Sequence, residues 1–441
     1  MTDPTPHRTA EDEVVDLCSE LIRIDSTNFG DGTGPGERPA AEYVAERLAE
    51  VGLDTTIVES GPGRANVLAR MEGSDPSRPA LLMHGHLDVV PADSADWAVH
   101  PFSGEVRDGY VWGRGAVDMK DMDAMILAVV RQRMREGRRP SRDVVLTFLA
   151  DEEAGGRAGA HRLVETHADT FDGVTEAVGE VGGFSLTVGE GRRLYLVETA
   201  EKGLAWMRLT AKGRAGHGSM INDDNAVTLL AEAVARLGRH DFPVRMTDTV
   251  RRLVAELSDA LQIDLGEDEG DLEAVVSKLG PLATLIGATL RNTVNPTMLD
   301  AGYKVNVIPG QAQAQVDGRF LPGYEEEFFA TVDELLGPGV TREFVVHDVA
   351  LETAFEGSLI DAMRASLTAE DPAGRLVPYM LSGGTDAKAF ARLGIKGYGF
   401  APLQLPPTLD FAALFHGVDE RVPVDALKFG VRVLDRFLDL A

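Results

Sequence analysis

Three short stretches carry side chains that bind metals or move protons, and each closes an apolar run or a turn. In LLMHGHLDVVP, His84, His86 and Asp88 alternate behind Leu81, Leu82 and Met83. In GRGAVDMKD, Asp118 follows a glycine-containing turn, and in LADEEAGG the acids Asp151, Glu152 and Glu153 are consecutive. Residues two apart on a strand share a face, so an imidazole can stand there beside a carboxylate that orients it. Each stretch taken alone also has a plain structural reading. A His-x-Asp pair is often satisfied in place, an Asp before a helix is usually an N-cap, and an acidic run is usually solvated. Their conjunction points elsewhere. Adjacent like charges such as Glu152 and Glu153 at the end of an apolar strand are costly unless a cation sits nearby. Two neighbouring carboxylates also divide labour well, one binding a metal and the other taking a proton from metal-bound water. Glu180 in GEVGG and His416 in LFHGVDERVPVD extend the set.

The elements that must position these groups alternate. EDEVVDLCSELIRI, AAEYVAERLAEVG and DMDAMILAVVRQRMREG have helical period, whereas DTTIVES, RANVLARME, PALLMHG and DVVLTFLAD read as strands. Near-continuous apolar strands separated by helices predict an α/β layer structure with both sheet faces covered. Ligand sites in such sheets gather at the carboxyl ends of strands, so the polar stretches can converge. The character changes near Tyr195: YLVETAEKGLAWMRLTAKG, TMLDAGYKVNVIP and GQAQAQVDGRFLPG alternate, with the helix NAVTLLAEAVARLG between them. That pattern suits a smaller α+β domain with one open sheet face. From about Glu325 helix and strand alternate again, ending in the helix VDALKFGVRVLDRFLDL. The boundaries expected are 1–196 and 324–441 for the two segments of a catalytic domain and 197–323 for the inserted one. The acidic run Gly266–Asp271 reads as a solvated loop.

The 441 residues exceed one hydrophobic core. With 44% hydrophobic and 26% charged residues the chain reads as folded and soluble, and its net charge of −28 argues against nucleic acid or an anionic membrane as partner. The N-terminal stretch shows no apolar core of a secretion signal, and no apolar run approaches membrane-spanning length. The single cysteine, Cys18, reads as a buried structural thiol. A cytoplasmic protein is expected. HExxH, the phosphate loop GxxxxGK[ST] and the serine elbow GxSxG are all absent from the sequence.

HGHLDVVP, GRGAVDMKD, DEEAGG, AGHGS, NVIPG, SGGTDAKAF and FHGVDERVPVD, in this order, resemble the co-catalytic zinc peptidase and deacylase family. Aminoacylases, glutamate carboxypeptidase, dipeptidases, acetylornithine deacetylase and succinyl-diaminopimelate desuccinylase belong to it. The resemblance spans nearly the whole chain. It implies a phosphorylase/hydrolase-like catalytic domain with a mixed central sheet, interrupted by a ferredoxin-like lid and dimerisation domain, in a homodimer. It also implies two Zn²⁺ per subunit, with Co²⁺ or Mn²⁺ as alternatives. Asp118 would bridge the ions, His86 and Glu180 would complete one shell, and Glu153 and His416 the other. Asp88 would hydrogen-bond His86 and fix its tautomer, and a cis peptide is expected at Asp118–Met119. Glu152 would be general base and acid for water held between the metals.

By the same resemblance, His217 in the inserted domain would reach a neighbouring protomer's site and stabilise the oxyanion. Arg319 and Asn306 would contact a substrate carboxylate, with Gly384 and Thr385 lining the site. Asp386 is either another lining group or an N-cap. His84 reads as structural, Trp97 as a packing residue, and His7, His100, His161, His167, His240 and His347 as surface or structural residues. The activity implied is hydrolysis of an amide next to an amino acid with a free carboxylate: an N-acyl-amino-acid deacylase, carboxypeptidase or dipeptidase. A dedicated desuccinylase or deacetylase is the alternative within the chemistry. A non-catalytic peptide-binding relative is the alternative outside it.

Overall fold

In the computed structural model, residues 8–189, 191–262 and 287–441 are described. His7 and the run Gly266–Asp271 lie outside the described residues. The chain divides into two compact units. The first comprises Met1–Thr199, Thr353–Pro378 and Thr385–Ala441, and the second Ala200–Glu352 and Tyr379–Gly384.

The first unit is built on a mixed sheet. The strands Val144–Leu149, Ala80–His86, Val174–Gly179 and Lys396–Gly399 lie side by side and parallel. Arg64–Met71 and Thr55–Gly61 extend the sheet antiparallel on one side, and Arg192–Glu201 pairs antiparallel with Lys396–Gly399 on the other. Every residue of Ala80–His86 and Val144–Leu149 is buried. This is why their sequences run apolar without alternation: helices cover both faces.

On one face the helix Lys120–Glu136 is buried along nearly its whole length, packed between Ala10–Arg23 and Val424–Leu440. On the other, Leu163, Phe171 and Phe390 pack against Leu82, Val145 and Ala177. Thr9 and Asp12 form a capping box at the first helix, and Cys18 is buried within that helix.

The second unit holds an antiparallel four-stranded sheet in the order Thr293–Ala301, Gln311–Phe320, Gly203–Lys212, Val340–Asp348. Gln311–Phe320 and Gly203–Lys212 alternate between buried and partly exposed positions, as their sequences do. The inward set, among it Met207, Leu209, Val316 and Phe320, packs on Leu230 and Leu237 of the helix Ala226–Arg239 and Phe328 and Val332 of Glu325–Leu336. The second unit thus runs to Glu352 rather than ending at 323 as the sequence suggested. Helix Glu325–Leu336 adds Phe328, Val332 and Leu336 to its core, and Val340–Asp348 completes its sheet.

Candidate metal centre

The parallel strands Val144–Leu149, Ala80–His86 and Val174–Gly179 are neighbours, so their carboxyl ends share one edge of the sheet. His86 is the last residue of the middle strand. Glu152 and Glu153 form a single helical turn just past the first, and Glu180 directly follows the third. Asp118 arrives from above the helix Lys120–Glu136, joined to Met119 by a cis peptide bond. It does not cap that helix; its carboxylate is turned towards two histidines instead.

His86 Nε2 lies 3.1 Å from Asp118 Oδ1 and 3.4 Å from Glu180 Oε2. His416 Nε2 lies 3.2 Å from the other Asp118 oxygen and 3.1 Å from Glu153 Oε2. These are two candidate metal-binding groups, His86/Asp118/Glu180 and Asp118/Glu153/His416, sharing one carboxylate. Imidazole with carboxylate is a donor set that Zn²⁺ accepts, as do Co²⁺ and Mn²⁺.

The electrostatics fit cations. Glu153 Oε1 is buried with no hydrogen-bond partner. Burial, then Glu180, drives the Glu152 carboxyl far above the usual carboxylate range. Burial raises Glu180 to about 7. Hydrogen bonds to Asp118 and Glu153 raise His416 to about 10. Burial alone would raise Asp118, yet the contacts with His416 and His86 bring it below the usual range. The cluster is thus a set of anions competing for protons, which two divalent ions would replace.

Asp88 is wholly buried and works differently from expectation. His86 Nδ1 is 3.0 Å from the Asp88 backbone carbonyl and 3.6 Å from its carboxylate. The carbonyl therefore sets the imidazole tautomer. The carboxylate accepts the backbone N–H groups of Glu152 and Glu153, both at 3.1 Å, and the Asn28 amide at 2.8 Å. Asn28 also donates to Asp151 and accepts from Arg64. Asp151, at φ 70°, turns the chain so that its two successors face the cluster. Glu152 Oε2 is 4.0 Å from His86 Nε2, beyond hydrogen-bond reach.

Four contributors here were missed from the sequence. Beyond Asn28 and Arg64, Glu420 and Arg114 tie the His416 loop to the turn before Asp118. Arg114 donates to Glu420 at 2.6 Å, Val117 N–H donates to the other Glu420 oxygen at 2.7 Å, and Arg114 also reaches the His416 carbonyl at 3.5 Å. Trp97 is buried under the Arg114 guanidinium, 5.2 Å from centroid to cation, so it packs as expected. The available signal was position: Arg114 and Glu420 each stand four residues from a candidate ligand, inside stretches already singled out.

His84 is the structural histidine it was read as. It lies 5.1 Å from the Phe390 ring and so close to Gly179 that a Cβ there would come within 2.3 Å of it. Burial lowers its pKa to about 3, so it is neutral. Asp386 makes no cap hydrogen bond; Thr385 Oγ1 accepts the Ala387 N–H instead, at 3.1 Å. The Asp386 carboxylate lies against the turn after Glu153, where a Cβ on Gly156 would be 2.8 Å from it. Gly384 is exposed at the end of the second unit, next to Thr385.

In the second unit His217 and Asn306 lie on two exposed segments joined by a short bridge, with Gly218 N–H donating to the Asn306 carbonyl at 2.9 Å. His217 Nδ1 is 2.8 Å from Ser219 Oγ. Arg319 already forms a two-pronged pair with Asp317, at 2.7 and 3.2 Å.

Comparison with known proteins agrees with this geometry. Residues 82–440 match the family described as Peptidase family M20/M25/M40. The chain is 28% identical over 440 residues to the N-fatty-acyl-amino acid synthase/hydrolase PM20D1 of Xenopus tropicalis, covering 95% of this chain and 84% of that one. It is 27% identical over 450 residues to Aminoacylase-1 of Sus scrofa, covering 98% and 96%. Its fold matches that of the M20 family metallo-carboxypeptidase Sso-CP2 from Sulfolobus solfataricus with a TM-score of 0.72, at 18% identity, over 97% and 99% of the two chains. With the ordered ligand set at one sheet edge and a match over most of its length, the chain belongs to peptidase family M20/M25/M40, a family of metal-dependent hydrolases.

Proposed function

We propose that the protein hydrolyses an amide bond whose nitrogen belongs to an amino acid with a free α-carboxylate, as an N-acyl-amino-acid deacylase with carboxypeptidase and dipeptidase as the neighbouring activities. The observation that carries this reading is the pair of imidazole–carboxylate clusters sharing Asp118, with Glu152 standing just outside both. His86, Asp118 and Glu180 would hold one ion, and Asp118, Glu153 and His416 the other, zinc being the metal that best suits these donors. Such ions make water acidic near neutral pH and polarise a carbonyl.

The remaining work falls to this chain's own side chains. Glu152 takes the proton of the attacking water and passes it to the leaving nitrogen. Its Oε2 stands 4.0 Å from His86 Nε2, close enough to both clusters to reach a water held beside them. Asp88 keeps Glu152 in place through the backbone N–H. Arg319 uses the donors that Asp317 leaves open to hold the amino acid's carboxylate. His217, acting on a partner protomer of a homodimer, donates to the oxyanion, and closure of the second unit as a lid excludes water.

The names Aminoacylase-1 and N-fatty-acyl-amino acid synthase/hydrolase among the relatives support an N-acyl amino acid as substrate. No helix among the described residues is long and apolar enough to cross a membrane, and a cytoplasmic location remains part of the proposal. The test is hydrolysis by zinc-loaded protein across N-acyl amino acids and dipeptides, beside Glu152→Ala. Release of free amino acid by the wild type, with a loss of about 10²–10⁴-fold in the variant at unchanged metal content, is expected. Equal rates would remove Glu152 from the mechanism.

A further inference from the structure

We infer that Asn28 is a positioning residue for the proposed base: its side-chain amide locks the turn that carries Glu152 and Glu153 onto the strand end that carries His86 and Asp88. This rests on the amide-hydrolase reading above, in which Glu152 must keep a set distance from the ligand groups. Asn28 is itself fixed before its side chain is used. Residues 26–28 run alongside residues 87–89, with Thr27 and Val89 joined in a parallel bridge. The Asn28 N–H donates to the Val89 carbonyl at 2.9 Å and the Val89 N–H to the Ser26 carbonyl at 3.2 Å. The Ser26 hydroxyl donates to the Leu87 carbonyl at 2.6 Å. Asn28 is therefore stitched to the chain that continues the strand Ala80–His86, and it is buried there.

The carboxamide then uses every hydrogen-bond position it has. Its oxygen accepts from Arg64 Nη2 at 2.9 Å and from the Gly30 N–H at 3.0 Å. Its nitrogen donates to Asp88 Oδ2 at 2.8 Å and to Asp151 Oδ1 at 3.1 Å. A guanidinium has only donors, so Arg64 fixes the oxygen on its own side and leaves the NH₂ group to the two acids. Arg64 is held in turn by Glu37, which is wholly buried. Both acids grip the same turn. Asp88 accepts the N–H groups of Glu152 and Glu153, and Asp151 Oδ2 accepts the Ala158 N–H at 3.0 Å on the return leg.

One nitrogen thus stands between two carboxylates that would otherwise meet with no donor between them, a like-charge contact that the turn would relieve by moving. An aspartate at this place would bring a third carboxylate to the junction, and an apolar residue would leave both acids and Arg64 short of a partner. Among the described residues Asn28 hydrogen-bonds neither Glu152 nor any of the five proposed metal ligands. Its influence on the chemistry passes through the turn alone.

The experiment compares wild type, Asn28→Asp, Asp151→Asn and the double variant as zinc-loaded full chains, on N-acetyl amino acids and dipeptides. In the double variant amide and carboxylate change places, which restores a hydrogen bond between the two side chains. We expect Asn28→Asp to lower kcat by about 100-fold with KM little changed, as misplacing a reacting group by about 1 Å does. Zinc affinity, read by titration with a competing chelator, should fall by about tenfold, because Glu153 shares the turn. The double variant should recover about tenfold of the lost kcat, a coupling that independent sites do not show. A folded Asn28→Asp with unchanged kcat, a loss confined to KM, or a double variant no better than Asn28→Asp would each overturn the assignment. Asp151→Asn sets two amides face to face at the same junction and tests it where Asn28→Asp does not fold; a wild-type kcat there would overturn it too. Absence of hydrolysis by the wild type would overturn the amide-hydrolase reading alone. The zinc titration then decides the junction: affinity lowered in Asn28→Asp and regained in the double variant sustains it, and equal affinities throughout overturn it.

Discussion

The sheet edge that carries His86 and the exposed hairpin that carries His217 hold their histidines by opposite means. His86 is fully buried, with both ring nitrogens engaged and the neighbouring carboxylate of Asp88 tied to three donors. His217 is exposed, steadied by a serine two residues on, and flanked by Met220, Ile221, Tyr303 and Val305, all open to solvent. A group that must bind an ion has to be placed before the ion arrives, because ligand geometry is paid for in advance by packing. A histidine on an open hairpin has no such placement, and the proposed oxyanion role of His217 asks for none until substrate is bound. The first region is therefore a preformed cradle, and the second carries its histidine on an open and partly apolar surface.

That contrast can be broken in order of severity. Asp118→Ala removes the carboxylate common to both clusters. Metal analysis should find both ions lost and activity at background, and retention of two ions would show that Asp118 does not join the clusters. His217→Ala should lower kcat by about 10²–10³-fold, the usual cost of one oxyanion donor, while metal content stays unchanged. If the metals leave as well, the two regions are not independent. Glu420→Gln is milder. It keeps the shape but weakens the clasp between the His416 loop and the turn before Asp118, so metal affinity should fall by about 10- to 100-fold. Titration with a competing chelator reads this directly, and an unaltered affinity would make the Arg114–Glu420 pair a matter of folding alone.

Much of the first region was legible because its logic is local. An apolar strand that ends in a polar residue advertises a site, and three such strands running parallel bring their ends to one edge. His84 could also be read, since a single histidine inside an apolar run has no motif to serve; Phe390 and Gly179 enclose it. The clasp was illegible for the opposite reason. Arg114 and Glu420 lie 306 residues apart, and nothing in either neighbourhood names the other. The role of the Asp88 backbone carbonyl was likewise hidden, because any residue type supplies a carbonyl. The end of the second unit was missed because helix Glu325–Leu336 has an apolar stripe that fits either unit. It is the pairing of Val340–Asp348 with Gly203–Lys212 that assigns it.

The clasp also orders events during synthesis. His86, Asp118, Glu153 and Glu180 are made long before His416 and Glu420. Until then one cluster has its imidazole and the other does not, and the turn ahead of Asp118 has no anchor. A nascent or truncated chain would carry the acids of the centre without its finished geometry. The geometry of the centre therefore depends on a clasp between residues far apart in the chain, so that a cut between them separates the acids from His416.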